Sequence, residues 1–139
     1  MENITLEKEK IVSTKKYPFE GKTVLIVDDE MDSRLLLEIL MKREKMKIFT
    51  ANNGKEAIEM VQNHNSIDVV LMDLQMPVID GLKATYEIKK QRPELPVIAQ
   101  TAFAMQDDRE KALAAGCDEF VTKPIRMNEL INCINRFIK

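Results

Sequence analysis

Five short apolar runs, at residues 23–27, 48–51, 69–72, 97–100 and 120–122, recur along the chain with a helix-length segment after each. Each is rich in Val, Ile, Leu or Phe and lacks polar alternation. A strand with one wet face alternates. A strand buried on both faces does not, and such strands belong to parallel sheets covered by helices on both sides. The segments between the runs carry helical spacing. In 33–44, Leu36, Ile39 and Leu40 share a stripe, and in 55–63 so do Ala57, Ile58 and Val61. Asp80-Gly81 is turn chemistry, and the segment after it ends before Pro93. Residues 107–115 have acids in the first turn and stop at Gly116. In 126–138, Met127, Leu130, Ile131, Ile134 and Ile138 follow one face. The alternation predicts an α/β fold, a doubly wound sandwich of five βα units.

Right-handed crossovers place the carboxyl ends of all such strands along one edge, where sites form. The residues at those ends are therefore the ones to read. The first run stops at Asp28, Asp29 and Glu30, the third at Asp73, the fourth at Thr101, and the fifth at Lys123 and Pro124. The second leads only into turn residues. Asp28 and Asp29 could cap the first helix, but capping accounts for one acid and not two. Adjacent carboxylates repel, and the single ammonium of Lys123 balances only one of them. A hard cation that accepts a few carboxylates and keeps exchangeable waters, Mg²⁺, suits Asp28, Asp29 and Asp73. Phosphoryl transfer needs positioning and charge neutralisation above all. Asp73, alone at its strand end, is the candidate carboxylate nucleophile. Mg²⁺, Lys123 and Thr101 would each take one phosphoryl oxygen.

Composition narrows the alternatives. The chain has 139 residues, 21 Lys and Arg against 23 Asp and Glu, and a net charge of −2. It has the length of one domain and no basic field for nucleic acid. No apolar stretch approaches the roughly 18 residues of a membrane span, so no membrane contact by this chain is expected. Cys117 and Cys133 show no metal-ligand spacing, which makes a reducing, cytoplasmic setting the default. Residues 1–21 lack a sustained period and end in Pro18 and Gly21 punctuation; they read as a linker or arm, with the domain at 22–139.

The motifs "VLIVDDE", "DVVLMDLQMPVIDG", "PVIAQTA" and "GCDEFVTKPI" resemble, in order and spacing, the response-regulator receiver domain of two-component signalling, over about residues 22–139. The resemblance implies a flavodoxin-like (βα)5 fold with sheet order 2-1-3-4-5. It implies that Asp73 accepts a phosphoryl group from a histidine kinase with Mg²⁺ required (Mn²⁺ able to substitute), and that the domain assists its own phosphorylation and dephosphorylation. Asp28, Asp29, Asp73 and the backbone carbonyl of Gln75 would hold the metal. Thr101 and Lys123 would bind the phosphoryl group. Thr101 and Phe120 match the family's switch pair, which alters the surface of helix 4, strand 5 and helix 5. The Lys123–Pro124 bond would be cis. Gln75 and Phe103 match positions that flank the path of the hydrolytic water, and a bulky ring at 103 implies a phosphoryl lifetime of minutes rather than seconds. Phe103 and Met105 are also candidates for a partner surface.

A narrower likeness is to the C-terminal receiver of a hybrid histidine kinase. In that reading no output domain follows, residues 1–21 are the end of an interdomain linker, and the domain lies at the cytoplasmic end of a membrane-bound kinase. A stand-alone single-domain regulator is the alternative. The implied partners are a histidine kinase or a histidine-phosphotransfer domain, with the chain a monomer or a weak dimer through helix 4, strand 5 and helix 5. Haloacid-dehalogenase-type phosphohydrolases use a similar residue set, but they need a second Asp where Gln75 stands, and their acidic pair follows the nucleophile. A pseudo-receiver would have lost an acid or Asp73, and both are present.

Overall fold

The computed structural model describes residues 17–76, 80–102 and 106–138. Phe103 and Met105 lie outside them, as does the arm before Tyr17. In chain order the elements are β1 (Thr23–Val27), α1 (Met31–Arg43), β2 (Lys47–Ala51), α2 (Gly54–Asn63), β3 (Val69–Asp73), α3 (Gly81–Gln91), β4 (Val97–Thr101), α4 (Gln106–Ala115), β5 (Glu119–Thr122) and α5 (Met127–Phe137). The strands form one parallel five-stranded sheet in the order β2-β1-β3-β4-β5. This is the doubly wound, flavodoxin-like arrangement.

Burial explains the unalternating runs. Every residue of β1, β3 and β4 is buried, whereas the edge strand β2 is mostly not. One face of the sheet packs Leu25, Val27, Val70, Met72, Val97, Ala99 and Phe120 against Ala57 and Val61 of α2, Ala84 and Ile88 of α3, and Ala112 of α4. The other packs Val24, Ile26, Val69, Leu71, Ile98 and Val121 against Leu37 and Met41 of α1 and Leu130, Cys133 and Ile134 of α5.

Local chemistry sets the helix ends. Asn53 caps α2 by accepting from the Glu56 N–H at 2.9 Å, while Glu56 accepts from the Asn52 N–H at 2.8 Å. This reciprocal pairing fixes the start of the helix. Asp80 caps α3 through the Lys83 N–H at 2.9 Å. α4 terminates at Gly116, whose φ of +109° is open to glycine and strained for other residues.

One expectation changes. In α1 the stripe of Leu36, Ile39 and Leu40 is not the buried face. Leu36 and Ile39 are more than half exposed, and Leu37 and Met41 are buried instead. Apolar residues surround this helix, so spacing alone leaves the inward face open. Residues just before β1 pack on the domain. Phe19 is buried in the α1/α5 core, the Gly21 N–H donates to the Lys45 carbonyl, and the Lys45 ammonium lies over the Tyr17 ring. An aromatic ring gains too much from burial to stay in water when a core edge is within reach.

Candidate functional site

β1, β3, β4 and β5 deliver their last residues to one edge. Asp28 follows β1 and Asp73 ends β3. The β1–β3 register, running Val24 with Val69 through Val27 with Met72, brings the two acids level one step later. Thr101 ends β4 opposite Thr122, and its carbonyl accepts the Lys123 N–H at 2.7 Å. That bond seats the lysine. The Lys123–Pro124 peptide is cis.

The carboxylates of Asp28, Asp29 and Asp73 offer oxygens all within 4.8 Å of one another. Asp28 and Asp73 are buried and Asp29 is exposed. The Lys123 ammonium stands 3.3 Å from Asp28 Oδ2 and 3.6 Å from Asp73 Oδ2. Backbone amides take the other oxygens: Glu30 N–H donates to Asp28 Oδ1 at 2.9 Å, and Gln75 N–H to Asp73 Oδ1 at 3.1 Å. Burial pushes the Asp73 carboxyl up to about 6; the Gln75 N–H and Lys123 pull against this, and the Asp28 charge adds to it. One ammonium against two buried carboxylates and a third at the rim leaves the site short of positive charge. Three hard oxygen donors with that deficit fit a divalent cation such as Mg²⁺, and the chemistry of the donor set excludes a soft-metal preference.

An open cleft lies above this cluster, lined by Asp29, Glu30, Asp73, Gln75, Ala102 and Lys123. Thr101, one residue before Ala102, is fully buried. Phe120 is buried in the neighbouring strand, opposite Ala99, with the Arg109 guanidinium 5.0 Å over its ring.

Three residues near the site escaped the strand-end reading. Arg34 Nη1 donates to the Asp28 carbonyl at 2.9 Å and so braces the acidic loop from α1. A cation near a helix N-terminus opposes the dipole, and that mismatch is the sequence signal for it. Gly81 packs so closely on the backbone of Asp73 and Leu74 that a Cβ there would collide with the Asp73 carbonyl. Its Asp-Gly context had signalled only a turn. Gln100 is fully buried beside Asp73 in the β3–β4 register, a polar residue in an apolar run.

Comparison with known proteins identifies the family. The family described as "Response regulator receiver domain" matches residues 24–135. Hybrid signal transduction histidine kinase G of Dictyostelium discoideum is 37% identical over 133 residues, which cover 93% of this chain but span 4% of that kinase. The receiver domain of sensor histidine kinase PA1611 from Pseudomonas aeruginosa, solved with a magnesium ion coordinated in its active-site cleft, aligns with a TM-score of 0.79 and 32% identity, covering 85% of this chain and 98% of that one. The Ssk1 receiver of Saccharomyces cerevisiae, solved with the histidine phosphotransfer protein Ypd1, aligns at 0.78 and 28% identity, over 86% and 90% of the two chains. The chain belongs to the response regulator receiver domain family. Among the described residues no helix is long and apolar enough to cross a membrane.

Proposed function

We propose that this receiver is a phosphoacceptor that takes a phosphoryl group onto Asp73 from the phosphohistidine of a histidine kinase or a histidine-phosphotransfer protein. The observation that carries this reading is the buried Asp73 carboxylate held among Asp28, Asp29 and Lys123 under an open cleft. Asp28, Asp29 and Asp73, with the Gln75 carbonyl, would hold Mg²⁺ or Mn²⁺. The cation supplies charge neutralisation on the phosphoryl oxygens.

The chain's own residues do the rest. The Gln75 N–H and the Lys123 ammonium fix the two Asp73 oxygens, so the carboxylate meets the phosphorus without having to reorient. A bond forms from an Asp73 oxygen to phosphorus as the phosphorus–nitrogen bond breaks, and the electron pair returns to the donor imidazole. Lys123 and the Thr101 hydroxyl then bind phosphoryl oxygens. The new group brings roughly two negative charges, and it shifts a conformational equilibrium only by binding one state better than the other. Thr101 and Phe120 supply that difference and transmit it to the α4–β5–α5 surface, which also serves any weak dimer. The likeness to hybrid kinases favours a place within such a kinase at the cytoplasmic side of a membrane, with a stand-alone regulator as the second context.

Incubation with acetyl phosphate, read by intact mass, tests this. A gain of one phosphoryl group that requires both Mg²⁺ and Asp73 is expected, and Asp73→Asn gains none. Thr101→Ala keeps most of the phosphorylation but loses the spectral response of the α4–β5–α5 surface. No gain from either acetyl phosphate or a phosphohistidine donor would overturn the phosphoacceptor reading.

A further inference from the structure

Helix α1 carries more apolar surface than the sheet covers. Six large apolar residues are exposed among the described residues, and four of them, Met31, Leu35, Leu36 and Ile39, lie on α1, between 46% and 63% accessible. Met31, Leu35 and Ile39 recur every fourth residue and form one stripe along the outward face, with Leu36 at its side. Single apolar residues scattered over a surface need no explanation, but a contiguous set marks a surface that another molecule covers. A helix that is apolar all round is ordinarily buried all round. Here the domain covers only the side that holds Leu37 and Met41.

The charges beside the stripe say what covers it. Asp32 lies in the first turn of α1, and Lys42 and Arg43 lie in the last. All three are exposed, and none enters an ion pair among the described residues. Asp32 and Arg43 stand about three turns apart, which puts them on the same edge of the stripe. Met31 and Lys42 share the other edge for the same reason. The helix dipole accounts for the signs at the two ends, but not for the exposed apolar residues between them. The face is complementary to itself. A second α1 laid antiparallel, about a two-fold axis level with Leu37, sets Leu35 against Ile39 of the copy and Asp32 against Arg43 of the copy, each pair occurring twice. The aliphatic stem of Lys42 then covers Met31 of the copy. A parallel copy would bring like charges together instead. We propose that the outward face of α1 is a homodimer interface, formed by antiparallel pairing with α1 of a second copy of this chain. Its small area makes the contact a transient one. It is separate from the α4–β5–α5 surface and does not depend on phosphorylation.

Sedimentation of the full chain over a hundredfold range of concentration, reaching the millimolar, tests this. The weight-average mass is expected to climb toward that of a dimer. Leu35→Glu, at an exposed position, removes the climb. Asp32→Arg and Arg43→Asp each set like charges against each other across the interface and weaken self-association at least about fivefold. Urea midpoints establish that both variants are folded before they are mixed. In the mixture opposite charges meet again at both ends, so the two variants are expected to pair with one another to within about twofold of wild-type affinity. Rescue of this kind requires an antiparallel pair in this register, and a general loss of structure could not produce it. A chain that stays monomeric over the whole range overturns the interface, even if its α1 face then takes up another occupant such as phosphatidylglycerol vesicles. A dimer that survives Leu35→Glu overturns it by placing the contact elsewhere. Folded variants that fail to pair in the mixture overturn the antiparallel register.

Discussion

Helices α1 and α5 pack on the same face of the sheet, and each starts a few residues beyond a residue of the candidate site, α1 after Asp29 and α5 after Lys123. They carry their apolar residues differently. In α5 these residues occupy one side, and Leu130 and Ile134 of that predicted face are buried. In α1, Leu35, Leu36, Leu37, Ile39, Leu40 and Met41 pass right round the helix. Only Leu37 and Met41 are buried, and Met31, Leu35, Leu36 and Ile39 remain exposed. A hydrophobic stripe identifies a buried face only when polar residues mark the other one. Without that contrast, contact with the sheet makes the choice.

The largest expected effects test this choice directly. Leu37→Ala in α1 and Ile134→Ala in α5 each delete a buried side chain and should cost about 2–5 kcal/mol in urea unfolding. Were Leu37→Ala nearly neutral, the orientation described for α1 would be wrong and the contrast with α5 would vanish.

The candidate site from which both helices lead off gives an intermediate effect. The folded Asp73 carboxyl titrates near 6, above its ordinary 3.8. Between those values the folded chain binds more protons than the unfolded one, so stability falls as pH rises through this window and levels off above it. Asp73→Asn should remove the slope and stabilise the apo protein at neutral pH by something on the order of 1 kcal/mol. Adding Mg²⁺ at neutral pH should raise the melting temperature of the wild type by mass action, and raise it less in Asp73→Asn. Thermal melts across pH, with and without the cation, check all three statements. A stability that rises from pH 4 to 6 in parallel for both proteins would show that Asp73 is not the group responsible.

The smallest effect sharpens the comparison most. Leu36→Ala, one residue from Leu37, should stay within about 0.5 kcal/mol of the wild type, as surface substitutions do. A large gap between Leu36→Ala and Leu37→Ala is what separates a helix with a chosen face from one that packs indifferently.

Much of the site was legible because its residues sit where strands end. Asp28, Asp73, Thr101 and Lys123 could be picked out by position alone, since a parallel sheet gathers its carboxyl ends on one edge. Element boundaries agreed to within a residue or two, as with the first helix, expected at 33–44 and observed as Met31–Arg43. Less legible were residues whose role depends on a distant neighbour. Arg34 matters through the Asp28 carbonyl, Gly81 through the backbone of Asp73, and Phe19 through the core that α1 and α5 enclose.

The sequence by itself determined the alternation of strand and helix, the burial of the central strands and the identity of the strand-end residues. These follow from local periodicity and from the fixed handedness of the chain. Only the tertiary structure decided which side of α1 faces inward, that Lys123 stands between Asp28 and Asp73, and that the Gln100 side-chain amide is buried with no partner among the described residues. Those outcomes depend on packing between segments far apart in the chain, and periodicity within one segment carries no information about which surface of another it will meet.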